Sequence, residues 1–118
     1  MADRKDRAWR GITYDSKAEM THAMDLEGRA RRLGLIVTRQ VPFELNPNGE
    51  SIKYVADFLV HARNGTLWVE ETKGMETPAW KLKAKLFRTL FPEIDLRVFD
   101  GKGRLTIPKR RARYAEKG

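Results

Sequence analysis

"LWVEETKG", residues 67–74, begins like a buried strand and ends in charge. Side chains alternate along a strand, so Leu67, Val69, Glu71 and Lys73 share one face. That face either leaves the core and meets water, or it carries an acid and an amine into a cleft. The segments around it have to decide.

Upstream, Ile52 to Val60 reads as a strand, joined to the first through a turn at Arg63-Asn64-Gly65. "NPNG" (46–49) is a turn, and Leu35 to Leu45 is extended, with Pro42 marking an edge or a bulge. A helix starts near Asp15 or Ser16 and runs to Leu33, stopped by Gly34. Downstream, Thr77 caps a second helix with Pro78 at its first position, running to about Phe91. Residues 94–99 form the last strand. The order is helix, three strands, helix, strand. This predicts a single α/β domain with a mixed sheet, αβββαβ, over residues 14–100. A loose basic arm (1–13), with Trp9 its anchor, precedes it, and a basic tail (108–118) follows. A chain of 118 residues accommodates one core of this kind and no second domain.

Composition narrows the chemistry. There is no cysteine and only two histidines, so disulfides and zinc sites of the nitrogen and sulfur type drop out. Any metal would be a hard cation held by carboxylates. No apolar run approaches the roughly 18 residues of a membrane span, and the N-terminus lacks a signal-peptide stretch, which suggests a cytoplasmic protein with no membrane partner. The net charge of +8 and pI of about 10 point to a polyanion, with nucleic acid the default.

Three carboxylates stand out. Ala23, Leu26, Ala30 and Leu33 form the apolar stripe of the first helix, and Glu19 lies four residues before Ala23, inside that stripe. A carboxylate there needs a recipient. "SKAE" also fits a capping box, with Ser16 as N-cap and Glu19 reaching back, and the helix alone leaves both readings open. On the strand 52–60, Ile52, Tyr54, Ala56, Phe58 and Val60 make one apolar face. Asp57 sits on the other, between Val55 and Leu59, where it requires a partner. A two-residue turn at Asn64-Gly65 would set Asp57 opposite Thr72, away from Glu71. A three-residue loop with Gly65 left-handed would set it opposite Glu71. Like charges facing each other are destabilising, so that second register makes sense with a cation between them. Glu70 points to the other face and reads as a bystander.

The series "YDSKAE", "YVADF" and "VEETKG", followed by "WKLKAKLF", resembles the PD-(D/E)XK nuclease superfamily, which has a restriction-endonuclease-like core. It looks closest to small phage-encoded Holliday junction resolvases. The resemblance covers about residues 14–100. It places the helix glutamate on Glu19, the metal-binding aspartate on Asp57 and the Glu-x-Lys on Glu71 and Lys73. Ala56 stands where the family often has proline. What the resemblance implies is Mg²⁺, with Mn²⁺ as substitute, held by Asp57, Glu71, the carbonyl of Thr72 and Glu19. Lys73 would serve the attacked phosphate. It further implies a homodimer acting on branched DNA.

The second helix carries a basic stripe of Lys81, Lys85 and Arg88. Lys83 lies among Ala79, Leu86 and Leu90, where it either snorkels or reaches the cleft. Lys109, Arg110 and Arg111 in the tail, and Arg4, Lys5, Arg7 and Arg10 in the arm, could reach further phosphates. Two other functions compete with the resolvase: a less selective nicking or packaging-associated nuclease, and a non-catalytic basic module that binds nucleic acid.

Overall fold

The computed structural model describes residues 3–106. Five strands form one mixed sheet: β3 (Ile36–Glu44), β4 (Lys53–His61), β5 (Leu67–Thr72), β6 (Asp95–Phe99) and β7 (Leu105–Thr106). They lie in that order, with β5 and β6 parallel and every other neighbouring pair antiparallel. Helix α1 (Lys17–Leu33) covers one side of the sheet and α2 (Pro78–Leu90) the other. A hairpin, β1 (Ala8–Trp9) and β2 (Ile12–Thr13), precedes α1. Among the described residues no helix is long and apolar enough to cross a membrane.

The helix ends follow local chemistry. Ser16 Oγ accepts the Glu19 N–H at 3.0 Å and starts α1, while Gly34, left-handed at φ 67, ends it. Thr77 Oγ1 accepts the Trp80 N–H at 3.1 Å and starts α2 on Pro78. Pro42 lies on β3, which is an edge strand and tolerates a missing donor.

Four expectations change. Residues 4–13 are not a loose arm. A 3-10 turn (Arg4–Arg7) leads into the hairpin, whose two-residue turn has both Arg10 (φ 51) and Gly11 (φ 78) left-handed. Trp9 and Ile12 of that hairpin pack on the α1-side core. The buried stripe of α1 is Glu19, His22, Ala23 and Leu26, and Leu33 is 58% exposed, because only the N-terminal half of the helix rests on the sheet. On α2 the large rings take the core: Trp80, Ala84 and Phe87 are buried, and Ala79, Leu82 and Leu90 are not. Trp80 and Phe87 pack with Tyr54, Phe43 and Phe91 in ring contacts of 5.0–5.5 Å. Each such ring, fully buried, contributes on the order of 2–3 kcal/mol. The tail cations Lys109, Arg110 and Arg111 lie outside the described residues.

The fourth change concerns β4. The register of β3 against β4 keeps one offset, with Arg39 paired to Phe58 and Val41 to Ala56, but Gln40 and Asp57 between them drop out. Gln40 is left-handed at φ 53. Alternation therefore resets at that level in both strands. Tyr54 and Ala56 join the α2-side core, whereas Phe58 and Val60 join the α1-side core. On β3, Phe43 packs on the α2 side and Val37 on the α1 side. The single apolar face expected from Ile52 to Val60 does not exist. Its break falls at Asp57.

Candidate functional site

The loop after β4 decides what Asp57 meets. The Ala62 N–H donates to the Thr66 carbonyl at 2.9 Å and the Gly65 N–H to the Ala62 carbonyl at 3.0 Å, with Gly65 left-handed at φ 90. This is the three-residue loop. It pairs Phe58 with Glu70 through His61 with Leu67, and the next step of that register brings Asp57 to Glu71.

Regular pairing stops at that step and carboxylates take over from the ladder. The Asp57 N–H donates to Glu71 Oε1 at 3.0 Å. The Thr72 N–H and hydroxyl donate to Asp57 Oδ2 at 2.9 and 3.0 Å. The Tyr54 hydroxyl also donates to Glu71 Oε1. These donors occupy one oxygen of each carboxylate, and the Asp57 carboxylate also lies within hydrogen-bonding reach of the Glu19 carboxyl. Lys73 Nζ lies 3.6 Å from Glu71 Oε2 and 4.7 Å from the centre of the Trp80 ring.

Glu19 comes from the first turn of α1 and is 2% exposed. Its Oε1 accepts the Asp15 N–H at 3.1 Å and its Oε2 accepts from Gln40 Nε2 at 3.3 Å. Capping and clustering therefore coexist: the carboxylate reaches back past its own N-cap and also faces Asp57. Burial, and then the charge of Asp57, raise the Glu19 carboxyl to about 7. The same two causes raise Glu71 to about 7, against the lowering effect of its hydrogen bonds and of Lys73. Burial and the Glu71 charge push the Tyr54 phenol up. Three acids share a nearby cation, Lys73, which only partly offsets their burial.

Two recesses flank the cluster. One, of ≈ 330 Å³ on the α2 side, is lined by Lys53, Tyr54, Glu71, Lys73, Trp80 and Lys83 among others. The second, of ≈ 530 Å³ on the α1 side, is lined by Lys17, His22, Thr72 and Lys102 among others. Lys83 lines the α2-side recess. Lys81 and Lys85 are exposed on α2, outside both recesses. Arg88 donates to the Leu96 carbonyl at 3.2 Å, so part of the expected stripe is bound to the protein's own backbone.

Glu70 lies on the other face, as expected, and there it is the centre of a buried network. Fully buried, it accepts from Arg29 through two bonds of 2.6 and 2.9 Å, from Trp68 Nε1 at 2.8 Å, and pairs with His22 Nε2 at 2.7 Å. Burial alone would raise its carboxyl. The hydrogen bonds from Arg29, His22 and Trp68 outweigh that and hold it well below the usual carboxylate range. His22 and Glu19 are one turn apart on α1, so this network seats the helix that delivers Glu19. Alternation places Glu70 on the α1 side, but nothing in the local sequence names Arg29 as its partner.

A family of proteins described as of unknown function (DUF1064) matches residues 4–103, which include every carboxylate of the cluster and Lys73. The chain belongs to that family. No curated protein matches it.

In this DUF1064 chain the donor set suits a hard cation. Among the described residues no three Asp, Glu or His side chains converge as a ready-made cage. Mg²⁺ does not require one, because it is held through one or two carboxylates with waters and substrate phosphates completing the shell. Asp57 and Glu71 are the carboxylates that could serve, and Glu19 faces Asp57 from the helix.

Proposed function

We propose that the protein is a Mg²⁺-dependent nuclease that hydrolyses phosphodiester bonds in DNA, related to the PD-(D/E)XK superfamily. Within that reading the substrate is a branched DNA such as a four-way junction, cut by a homodimer, since paired cuts require paired sites. The observation that carries the proposal is the register at Asp57 and Glu71. It brings together three carboxylates, Asp57 half-buried and Glu19 and Glu71 buried and raised to about 7, beside a lysine in a basic cleft.

Asp57 and Glu71, with the Thr72 carbonyl, would hold the ion, and Glu19 would hold a second ion or the waters of the first. The chemistry such an ion would supply is activation of a water and neutralisation of charge on the phosphate. The chain's own contribution is orientation. Tyr54 and the Asp57 N–H fix Glu71 through Oε1, and Thr72 fixes Asp57 through Oδ2, while Glu71 lines the α2-side recess. Lys73 stands where a compact cation can orient the attacking water and offset charge developing on the phosphate.

The test is incubation with labelled four-way and linear DNA, with Mg²⁺ and with EDTA, beside Asp57→Asn. Metal-dependent cleavage that is absent in the variant supports the nuclease, and preference for the junction supports the narrower substrate. Binding without cleavage under every condition would leave a nucleic-acid-binding module instead.

A further inference from the structure

The two recesses lie on opposite sides of the sheet and are lined by adjoining residues at its carboxylate end. Glu71 lines the α2-side recess, and the adjoining Thr72, bonded to Asp57, lines the α1-side one. Lysines stand in both: Lys53 and Lys83 in the first, beside Lys73, and Lys17 and Lys102 in the second. None of Lys17, Lys53, Lys83 and Lys102 forms an ion pair among the described residues. The acids of the α1-side recess are already engaged. Asp25 pairs with Arg29 at 2.9 Å, and Asp100 accepts from the Lys102 and Arg104 backbones and from the Arg104 side chain. The positive charge of both recesses is therefore available to a ligand. An uncompensated acidic cluster with unpaired cations on both flanks matches an extended polyanion better than a small one. A single phosphate would fill one flank only.

We infer that the nucleic-acid strand passes through the site, crossing the end of the sheet from the α2 side to the α1 side. Backbone phosphates on one side of the reacting position are held by Lys53 and Lys83, and those on the other by Lys17 and Lys102. This rests on the nuclease reading and adds the path of the strand to it. Each lysine acts as a point charge on a phosphate, so the path contributes affinity and register without base specificity.

Neutralising a phosphate releases counterions, so each lost contact lowers the slope of log affinity against log salt by about 0.7–0.9. Binding of fluorescent duplex and four-way DNA is measured by anisotropy across a salt series in EDTA, which removes cleavage. Lys53→Gln/Lys83→Gln and Lys17→Gln/Lys102→Gln should each reduce the slope by roughly 1.4–1.8. The comparison is Arg31→Gln/Arg32→Gln, which removes the same charge about 20 Å along α1. Its slope should stay at the wild-type value. If only one recess pair changes the slope, the strand ends at the site and the through-path is wrong. If neither does while wild-type binding remains salt-dependent, the path fails and the nucleic-acid reading stands. Wild-type protein that does not bind DNA, or binds without salt dependence, overturns that reading and the path together.

Discussion

The metal-free protein should lose stability as pH rises through neutrality, and a divalent cation should restore it. Glu19 and Glu71 are each raised to about 7 in the fold, from 4.5. A carboxyl whose folded pKa is raised binds its proton more tightly in the native state. Its contribution is therefore complete below about pH 4.5 and is lost as pH climbs through 7. At 1.36 kcal/mol per unit the ceiling is about 3 kcal/mol for each group. Both are raised in part by the same neighbour, Asp57, so together they contribute on the order of 3–5 kcal/mol between pH 5 and 9. For a domain of this size that corresponds to a fall in Tm on the order of 10 °C or more. Glu70 does not interfere. Its depressed carboxyl stabilises above its unfolded pKa and loses that contribution only in acid. Thermal melts from pH 5.5 to 9 in EDTA, repeated with excess Mg²⁺ or Mn²⁺, make the measurement. The ion takes the place of the protons, so the melting curve against pH should flatten in its presence. At about 100 times Kd it adds roughly 2.7 kcal/mol. Glu19→Gln/Glu71→Gln should flatten the EDTA curve as well and show no response to metal. A wild-type Tm in EDTA that is level or rises from pH 6 to 8.5 would refute the reasoning, because the carboxylates would then be compensated by groups within the fold.

Three further outcomes are expected. Asp57→Asn should lower Mg²⁺-dependent cleavage by several orders of magnitude while raising Tm at pH 8 in EDTA, since one of three like charges is gone; cleavage near the wild-type rate would remove Asp57 from the ligand set. Tyr54→Phe should cost roughly 1.5–3 kcal/mol at pH 8.5, where Glu71 is ionised, and nearer 0.5–1.5 at pH 5.5. Equal losses in urea melts at the two pH values would show that the hydroxyl does not serve the carboxylate. Glu70→Ala should destabilise by about 3–5 kcal/mol in denaturant melts, since it strands the Arg29, His22 and Trp68 donors, and a loss under about 1 kcal/mol would mean the network is replaceable by water.

Much of the architecture is legible because it follows from local rules. Capping residues at Ser16 and Thr77, Gly34 as a stop, and the strand patterns at 52–60 and 66–73 place both helices and the central strands to within a residue or so of their observed bounds. The pairing of Asp57 with Glu71 was conditional on one turn, and Gly65 at φ 90 resolves it toward the longer loop. Other features carry no local signal. Gln40 is neither glycine nor asparagine, yet it adopts the left-handed conformation and shifts the sheet's alternation. That conformation is held by tertiary context, where Gln40 donates to Glu19. On α2 the choice of core face turned on ring volume. Trp80 and Phe87 outweigh the leucines, whose periodicity alone suggested a different face.

The neighbouring residues Glu70 and Glu71 show why charge compensation is more informative than charge position. Both are glutamates at the end of one strand, and both are essentially buried, at 0% and 2% exposed. Glu70 meets a bidentate arginine, an indole N–H and an imidazole, and is held ionised. Burial and Asp57 push Glu71 toward the neutral form, and its nearest cation, Lys73, is 3.6 Å away and partly exposed. Removing Glu70 breaks a completed network, so stability should fall. Removing charge at Glu71 or Asp57 relieves a conflict that the fold maintains, so stability should rise. On the proposed function, the fold keeps this conflict beside a fully paired alternative one residue away because a ligand completes it. The ligands proposed here match the sign of what is missing: a cation at the carboxylates, and an anion at the lysines on either side.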